Sequence, residues 1–319
     1  MESGSVLAER PCPITGGREC EIVATRAREG HELRNVISKD SGLIYVDPLP
    51  IEDLSQFYKE DYRKSYKNVV TPKKKHIFRA GGVALDRWER LHEYLPGNTR
   101  AVDFGAGGGE WAYLLKSRGV DIFGIEPNAG YGGFAKESYD LNLFLGMYQE
   151  ADVERGTFEI ATLFHVLEHL KDPVIDIRNM SEFLKDGGHF AIEVPDILYA
   201  GMHFDHKWHD GHLFGFDIKT LEGVANSAGL HTVKLERQGG NLFGIFQKRE
   251  SEEVKPVDLT GHYEEALSEM NAGRAKYWSF PTTYLKPFQK MARSISEKTA
   301  VSSKSAGREI LDSLYGKAS

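Results

Sequence analysis

The stretch of sequence that decides the fold is Val102-Asp103-Phe104-Gly105-Ala106-Gly107-Gly108-Gly109-Glu110. The apolar residues of a short strand run into a glycine-rich loop, and helix-period residues follow. Glycines at positions 105, 107 and 109 let the backbone turn sharply, and they let a ligand approach main-chain N–H groups without meeting a Cβ atom. The strand, loop and helix together predict a nucleotide-type ligand at this loop.

A dinucleotide-binding turn is the first alternative for the loop. It requires G-x-G-x-x-G, because the third glycine packs the helix against the strand. Here the third position is Glu110, whose carboxylate would repel a pyrophosphate. The sequence therefore favours a ligand with a nucleoside and a zwitterionic amino-acid arm but no phosphate. Asp103, just before the loop, is expected to orient loop amides or to meet the ammonium group.

An acidic residue ends the next predicted strand, in the stretch Phe123-Gly124-Ile125-Glu126-Pro127. It lies roughly 20 residues past the loop, the distance at which a carboxylate accepts hydrogen bonds from both ribose hydroxyls. A glycine cluster alone is usually only a turn, and an acid at a strand end is usually solvated. Their joint spacing favours a nucleoside site.

The chain around these residues has the pattern of a parallel sheet covered by helices, since β-rich runs and helix-period segments alternate from about residue 77 to residue 248. The predicted strands are Arg100 to Phe104, Asp121 to Glu126, Leu141 to Leu145, Phe158 to Phe164, His189 to Val194, His231 to Arg237 and Leu242 to Gln247. The predicted helices are Val83 to Leu95, one capped by Asp172 before Pro173, and one capped by Asp217 and ending at Gly229. The turn Gln238-Gly239-Gly240-Asn241 makes the last strand antiparallel.

These patterns predict a doubly wound α/β fold with three segments: an irregular N-terminal cap over 1–76, a ligand-binding domain over 77–249 and a helical extension over 250–319. Tyr58 and Tyr62 are expected to close over the ligand or to pack the cap. In the extension, apolar residues recur at helical spacing among basic ones; they are Phe288, Met291, Ala292 and Ile295. This segment is expected to pack on its own core or on a second subunit, and docking on an anionic membrane or a partner is the alternative.

Composition limits the remaining classes. Of the 319 residues, 40% are hydrophobic and 27% charged, which excludes collagen, coiled-coil and wholly disordered chains. A formal net charge of −7 disfavours a nucleic-acid partner. Two cysteines, Cys12 and Cys20, fit a reducing compartment. Because neither a signal peptide nor an apolar stretch long enough to span a bilayer is found, we expect a cytoplasmic protein.

Residues 102–127 resemble motifs I and II of the class I S-adenosylmethionine-dependent methyltransferases. The run Phe158 to Leu170, which contains Val166-Leu167-Glu168-His169, resembles the fourth-strand motif of that family, and Leu184 to Pro195 resembles its fifth-strand region. The resemblance implies a seven-stranded sheet with a reversed last strand and S-adenosylmethionine as cofactor. The cofactor-binding residues it implies are Asp103, Gly105, Ala106, Gly107, Gly109, Glu126, Pro127, Met147, Phe164 and His165.

Three histidines are the predicted catalytic residues: His165, His169 and His212. His165 and His169 are placed on one helix face with Glu168 close by, and His165 or His212 is the expected general base. With His212 these residues form a possible metal site of three histidines and a carboxylate, as in some family members, although the favoured interpretation has no metal.

The predicted function is methyl transfer to a small-molecule or carbohydrate-like acceptor, with oxygen favoured over carbon as nucleophile. A metal-assisted O-methyltransferase of a nucleic-acid or quinone-type acceptor, a dehydrogenase-like nucleotide binder and a catalytically silent S-adenosylmethionine-binding module remain the alternatives.

Overall fold

The structure is a computed structural model that describes residues 6–50, 71–249, 254–304 and 306–316. It divides into two compact units, each assembled from discontinuous segments. The first takes its described residues from Met1–Glu52, Leu163–Glu182 and Phe190–Tyr284. The second takes them from Asp53–Thr162, Phe183–His189 and Leu285–Ser319. Tyr58 and Tyr62 lie outside the described residues.

The regular elements of the described chain are twelve strands and eight α-helices. The strands are β1 (Val6–Leu7), β2 (Glu19–Arg26), β3 (Glu32–Ser38), β4 (Ile44–Val46), β5 (Arg100–Phe104), β6 (Asp121–Glu126), β7 (Leu143–Leu145), β8 (Phe158–Phe164), β9 (Leu184–Pro195), β10 (Phe214–Gly215), β11 (Leu230–Gln238) and β12 (Asn241–Lys248). The helices are α1 (Lys74–Leu91), α2 (Glu110–Ser117), α3 (Ala129–Tyr139), α4 (Pro173–Ser181), α5 (Ile218–Ser227), α6 (His262–Lys276), α7 (Pro281–Ala300) and α8 (Gly307–Tyr315).

A seven-stranded sheet with the order β11-β12-β9-β8-β5-β6-β7 carries the regular part of the chain. Strand β6 pairs in parallel with both β5 and β7, and Asp103 lies opposite Gly124. Strands β11 and β12 are antiparallel. Gly239 and Gly240 form the turn between these two strands with φ angles of 54° and 105°, a backbone conformation that residues with a Cβ atom rarely adopt. The predicted fold class, with its reversed last strand, is confirmed.

The helix caps read from the sequence are also confirmed. The Asp172 side chain accepts a hydrogen bond from Ile175 N at 3.0 Å, and the Asp217 side chain accepts one from Thr220 N at 3.1 Å. The first helix differs from its prediction, because α1 begins at Lys74 and gives way to a 3-10 turn after Leu91. No described helix has both the length and the apolar character needed to cross a membrane.

The N-terminal segment is not the irregular cap that was predicted. Strands β1 to β4 and β10 form a five-stranded sheet in which all successive pairs are antiparallel. Strands β3 and β4 bury most of their side chains. The buried Asp47 carboxylate, just after β4, accepts hydrogen bonds from the backbone N–H groups of Glu9 and Arg10 and from the Arg34 side chain. Three of its strands, β1, β4 and β10, have only two or three residues, and β2 buries only one side chain, which explains why the sequence pattern missed this sheet.

Candidate active site

The glycine loop after β5 has the backbone that its sequence predicts. Gly105, Gly107 and Gly109 have φ angles of 75°, 58° and 80°, all in the left-handed region. A Cβ atom on Gly109 would lie 2.7 Å from the Ala135 Cβ and 2.8 Å from Leu141 Cδ1. Glycine is therefore required here both for the turn and for the close approach of α3 to the loop.

Glu126 ties this loop to the end of β6. Its buried carboxylate accepts hydrogen bonds from Gly107 N at 2.6 Å and from Asn128 N at 2.9 Å. A carboxylate offers about four lone-pair directions, so these two bonds leave acceptor capacity for ribose hydroxyls. The residue that the sequence assigns to the sugar is also the residue that holds the loop in shape.

Asp103, the last polar residue before the loop, is buried beside Thr162. The Thr162 hydroxyl donates to Asp103 Oδ1 at 2.6 Å, and the Trp111 indole N–H donates to the Thr162 oxygen at 3.3 Å. Burial is the main cause that raises the pKa of Asp103 to about 7, although the Thr162 hydrogen bond opposes it. A buried carboxylate held this way is a good partner for an ammonium group, which would restore its charge.

The other predicted cofactor residues are divided between the two units. Ala106, in the glycine loop, donates a hydrogen bond from its backbone N–H to Ile125 O in β6, and Pro127 follows Glu126 directly. Met147 begins a 3-10 turn, where its N–H donates to Glu150 Oε2 at 2.9 Å. These residues belong to the second unit, as do the loop glycines, Asp103 and Glu126, whereas Phe164 and His165 belong to the first unit.

His165 follows β8 directly and has a φ angle of 56°, a left-handed conformation that is rare outside glycine. Its backbone N–H donates to Glu193 O at 2.8 Å. The side chain is 39% exposed, with Nδ1 3.6 Å from Glu168 Oε1 and Nε2 3.4 Å from Glu193 Oε1. The predicted helix is wrong at this point, since only a 3-10 turn forms over Leu167–His169. The turn nevertheless brings His165 beside Glu168.

The two carboxylates control the protonation of His165. Partial burial would lower the pKa of this imidazole, but Glu168 and Glu193 outweigh that effect and raise its pKa to about 9. Burial would likewise raise the pKa of Glu168, and the neighbouring histidines instead hold it well below its usual range. At neutral pH His165 is therefore an imidazolium beside the Glu168 carboxylate, with the Glu193 side chain on its other ring nitrogen.

Sequence reasoning missed Glu193 and Asn241 as members of this site. Glu193 is buried in β9. Asn241, the first residue of β12, donates a hydrogen bond from its side-chain amide to Glu193 Oε1 at 2.8 Å. A charged residue is almost never fully buried without a partner. The lone glutamate inside the apolar run Phe190 to Val194 was the signal that could have revealed it.

His169 and His212 form a second group next to Glu168. The Nδ1 atom of buried His169 is hydrogen-bonded to Gly211 O, and the ring centroids of His169 and His212 are 4.9 Å apart. Burial lowers the pKa of His212 to about 3, so its imidazole is neutral at physiological pH. Burial also lowers the pKa of neighbouring His209, to about 4.

Glu168, His169 and His212 each offer a ligand atom, and these atoms all lie within 4.8 Å of one another. Among the described residues, Glu168 Oε2 is buried and makes no hydrogen bond. Neutral imidazoles and a carboxylate are ligands that divalent transition metals accept. His169 also has a backbone carbonyl on its other ring nitrogen, a frequent partner of metal-bound histidines. The residues thus fit a metal ion, although the favoured sequence interpretation had none.

Comparison with known proteins identifies the family. The family model described as a methyltransferase domain matches residues 76–235, half of the chain. A ubiquinone biosynthesis O-methyltransferase of Methylococcus capsulatus is 31% identical over 105 residues, which cover 31% of this chain and 44% of that protein. The enzyme of the same name from Acinetobacter baylyi is 28% identical over 169 residues, covering 43% of this chain and 71% of that protein.

Among solved structures, an S-adenosylmethionine-dependent methyltransferase of Methanosarcina mazei is similar with a TM-score of 0.43 and 14% identity, over 50% of this chain and 97% of that one. The chain spans less than half the length of the Methylococcus relative.

The chain belongs to the methyltransferase-domain family, in the class of S-adenosylmethionine-dependent methyltransferases. The predicted class of enzyme and its cofactor are thereby confirmed. The glycine loop, the carboxylate that holds it and the buried Asp103 fit the nucleoside and amino-acid parts of that cofactor. They leave the dehydrogenase-like alternative without support.

Proposed function

We propose that this protein transfers the methyl group of S-adenosylmethionine to a hydroxyl oxygen of a small, phenol-like or carbohydrate-like acceptor. The observation that carries the proposal is His165, an exposed imidazole held between the buried carboxylates of Glu168 and Glu193. Methylation of a hydroxyl releases a proton, and a titratable group beside the nucleophile speeds the reaction by accepting it. The relatives named ubiquinone biosynthesis O-methyltransferase support oxygen as the nucleophile.

His165 is the acceptor of that proton, and Glu168 and Glu193 hold its ring and stabilise the imidazolium that forms. Because the two carboxylates raise the pKa of His165 to about 9, the neutral imidazole that accepts the proton is the minor form at pH 7, and turnover is expected to rise as pH increases towards 9. His212 is the weaker of the two predicted bases, because burial lowers its pKa to about 3. The proposal therefore assigns the base to His165 with its carboxylates.

The test compares His165→Ala with a control, His92→Ala, which removes an exposed histidine whose ring contacts Trp88 O in the second unit. At saturating acceptor, His165→Ala is expected to lower kcat by about 10²- to 10⁴-fold, the usual range for a general base. Its affinity for S-adenosylmethionine, measured by calorimetry, should fall by far less than kcat, and the control should keep both values. Mass spectrometry and NMR of the product should show an O-methyl ether.

Two results would contradict the proposal. Full turnover by His165→Ala at saturating acceptor removes this histidine from proton transfer. A product methylated at carbon removes oxygen as the nucleophile. If the wild-type chain binds the cofactor but methylates no hydroxyl acceptor in a panel of phenols, catechols and sugars, the silent binding module is the better description.

A metal-assisted form of the same reaction is the second candidate, and the grouping of Glu168, His169 and His212 favours it. These three residues would hold a divalent cation, which would supply a Lewis acid that polarises the acceptor hydroxyl. Two features of this chain suit such an ion: Glu168 Oε2, which is buried without a hydrogen bond to the described residues, and the neutral imidazole of His212.

Metal analysis separates the two forms. The chain is stripped with a chelator, and binding of Mg²⁺, Mn²⁺ and Zn²⁺ is measured by calorimetry for the wild type and for His212→Ala. Stoichiometric binding that disappears in His212→Ala, together with activity that the ion restores, supports the metal-assisted form. Full activity in chelator, with no ion bound, leaves the metal-independent reaction.

A further inference from the structure

Helix α7 presents an apolar face to solvent. Tyr284, Leu285, Phe288, Met291 and Ile295 are large hydrophobic residues that are each 50% to 66% exposed. Four of them, at positions 284, 288, 291 and 295, follow the spacing i, i+4, i+7 and i+11, which places them along one side of the helix. This exposure differs from the expectation that the segment packs on its own core.

The buried side chains of α7 are polar and lie on another side of the helix. Thr283 and Glu297 are buried, and Arg79 binds both Glu297 oxygens, at 2.7 and 2.6 Å. Surface helices normally turn their apolar stripe inward and their charges outward. Here an ion pair is formed on the inner side while the apolar stripe faces out. Such an arrangement leaves the outer face uncovered by the residues that the structure describes and available to a partner.

The charge of α7 points to an anionic partner. The helix carries four basic residues: Lys286, Lys290, Arg293 and Lys298. Its one acidic residue, Glu297, is already neutralised by Arg79. The whole chain has a formal net charge of −7, so this positive helix stands out against the rest of the protein. A second copy of the same helix would meet it with like charge, whereas an anionic surface attracts it.

Aromatic residues at the start of the helix have the character of membrane-interface anchors. Trp278 is exposed, and the ring centroids of Trp278 and Tyr284 are 6.4 Å apart. The Tyr284 hydroxyl donates to Trp278 O at 2.9 Å. Rings with one apolar and one polar end prefer the level of lipid headgroups.

We propose that α7 is a membrane-docking element that lies flat on an anionic lipid bilayer. Phe288, Met291 and Ile295 enter the boundary between headgroups and acyl chains, and the basic residues are attracted to the anionic headgroups. A helix with an apolar side and a basic polar side binds in the plane of the interface rather than across the bilayer. This agrees with the finding that no described helix can span a membrane.

Vesicle flotation of the full chain tests the proposal. The vesicles are pure phosphatidylcholine, or phosphatidylcholine with roughly one third phosphatidylglycerol, a composition that supplies the anionic surface. The wild-type chain should float with the anionic vesicles, less so in high salt, and should leave neutral vesicles largely unbound. The double variant Phe288→Glu/Ile295→Glu should lose at least about tenfold in partition, because it removes two apolar side chains from the inserting face and places two charges there.

The matched control is Gln289→Glu/Ser296→Glu, which adds the same two charges at exposed polar positions of the same helix. It should keep most of the vesicle binding. Equal loss in both double variants would overturn apolar insertion, and absence of wild-type binding to anionic vesicles would overturn the docking element. A wild-type dimer that Phe288→Glu/Ile295→Glu dissociates, without vesicle binding, would assign the face to a second copy instead. Cofactor binding by calorimetry should be the same in all variants, which separates this test from that of the proposed function.

Discussion

The glycine loop and the histidine cluster, which consists of His165, Glu168, Glu193 and Asn241, are held in place by different means. In the loop, main-chain conformation does most of the positioning, since three glycines have left-handed φ angles and the Glu126 carboxylate accepts a hydrogen bond from the Gly107 amide. In the cluster, side chains and their charges do the positioning, since His165 lies between the Glu168 and Glu193 carboxylates. Residues of the loop are close in sequence, while those of the cluster come from the turn after β8 and from β9 and β12. A sequence motif therefore reveals the glycine loop, whereas the histidine cluster can be recognised only in the folded chain.

The largest expected effect falls on the loop. Glu126→Ala should weaken the binding of S-adenosylmethionine by about 10²- to 10⁴-fold. The variant loses the two hydrogen bonds expected from the ribose hydroxyls to the Glu126 carboxylate, at about 1.5–3 kcal/mol each. Calorimetry measures the dissociation constant. Glu137→Ala, which removes an exposed carboxylate from the neighbouring helix α3, is the control and should bind normally. Unchanged affinity in Glu126→Ala would show that the ribose lies elsewhere.

The second prediction tests whether the backbone itself is required. Gly109→Ala places a Cβ at a φ angle of 80° and against Ala135. The left-handed conformation costs about 1–2 kcal/mol and overpacking about 1–3 kcal/mol, so the free energy of unfolding should fall by about 2–5 kcal/mol. Urea denaturation measures it.

Gly108→Ala is the neighbouring control for this substitution. The atoms nearest to its Cβ would be those of the Glu110 carboxylate group, the far end of a flexible side chain. The expected loss is below about 1 kcal/mol. Equal losses in the two variants would mean that the loop tolerates a side chain at either position, and the contrast between backbone and side-chain recognition would then be weaker than the structure indicates.

The third prediction concerns the buried carboxyl group of Asp103, whose pKa burial raises from 3.8 to about 7. Between these values the folded state binds more protons than the unfolded state, so stability falls as pH rises. Asp103→Asn removes this titration. The variant should gain stability over the wild type as pH rises from 4 to 7, by at most about 4 kcal/mol at pH 8, and should lose the advantage at pH 4.

Thermal or urea unfolding at several pH values measures this difference, and cofactor affinity should fall in the same variant if Asp103 meets the ammonium group. Parallel stability curves for variant and wild type across pH 4–8 would contradict the raised pKa. A stability gain without a loss of affinity would keep the raised pKa but remove Asp103 from cofactor binding.

The sequence predicted the sheet, the reversed last strand, two helix caps and the conformation of the glycine loop, because each depends on neighbours within a few residues. It did not predict the N-terminal sheet, in which three strands have only two or three residues and β2 buries only one side chain. It placed His165 on a helix, since a 3.6-residue period cannot reveal the left-handed residue that precedes the 3-10 turn. Glu193 and Asn241 meet only through sheet pairing, which spacing along the chain does not encode.

The smallest expected effect falls on the histidine cluster and concerns Asn241, a positioning residue. Its amide holds Glu193 Oε1 at 2.8 Å, and loss of one hydrogen bond to a charged group costs about 1.5–3 kcal/mol. Asn241→Ala should therefore lower kcat by roughly 10- to 100-fold while the affinity for S-adenosylmethionine is kept. Asn241→Gln, which retains an amide donor, should restore part of the rate. Gln238→Ala, opposite Asn241 at the same hairpin turn, is the control and should keep kcat. If Asn241→Ala instead changed cofactor affinity and left kcat intact, the histidine cluster would serve to bind the cofactor. The loop and the cluster would then not have separate functions.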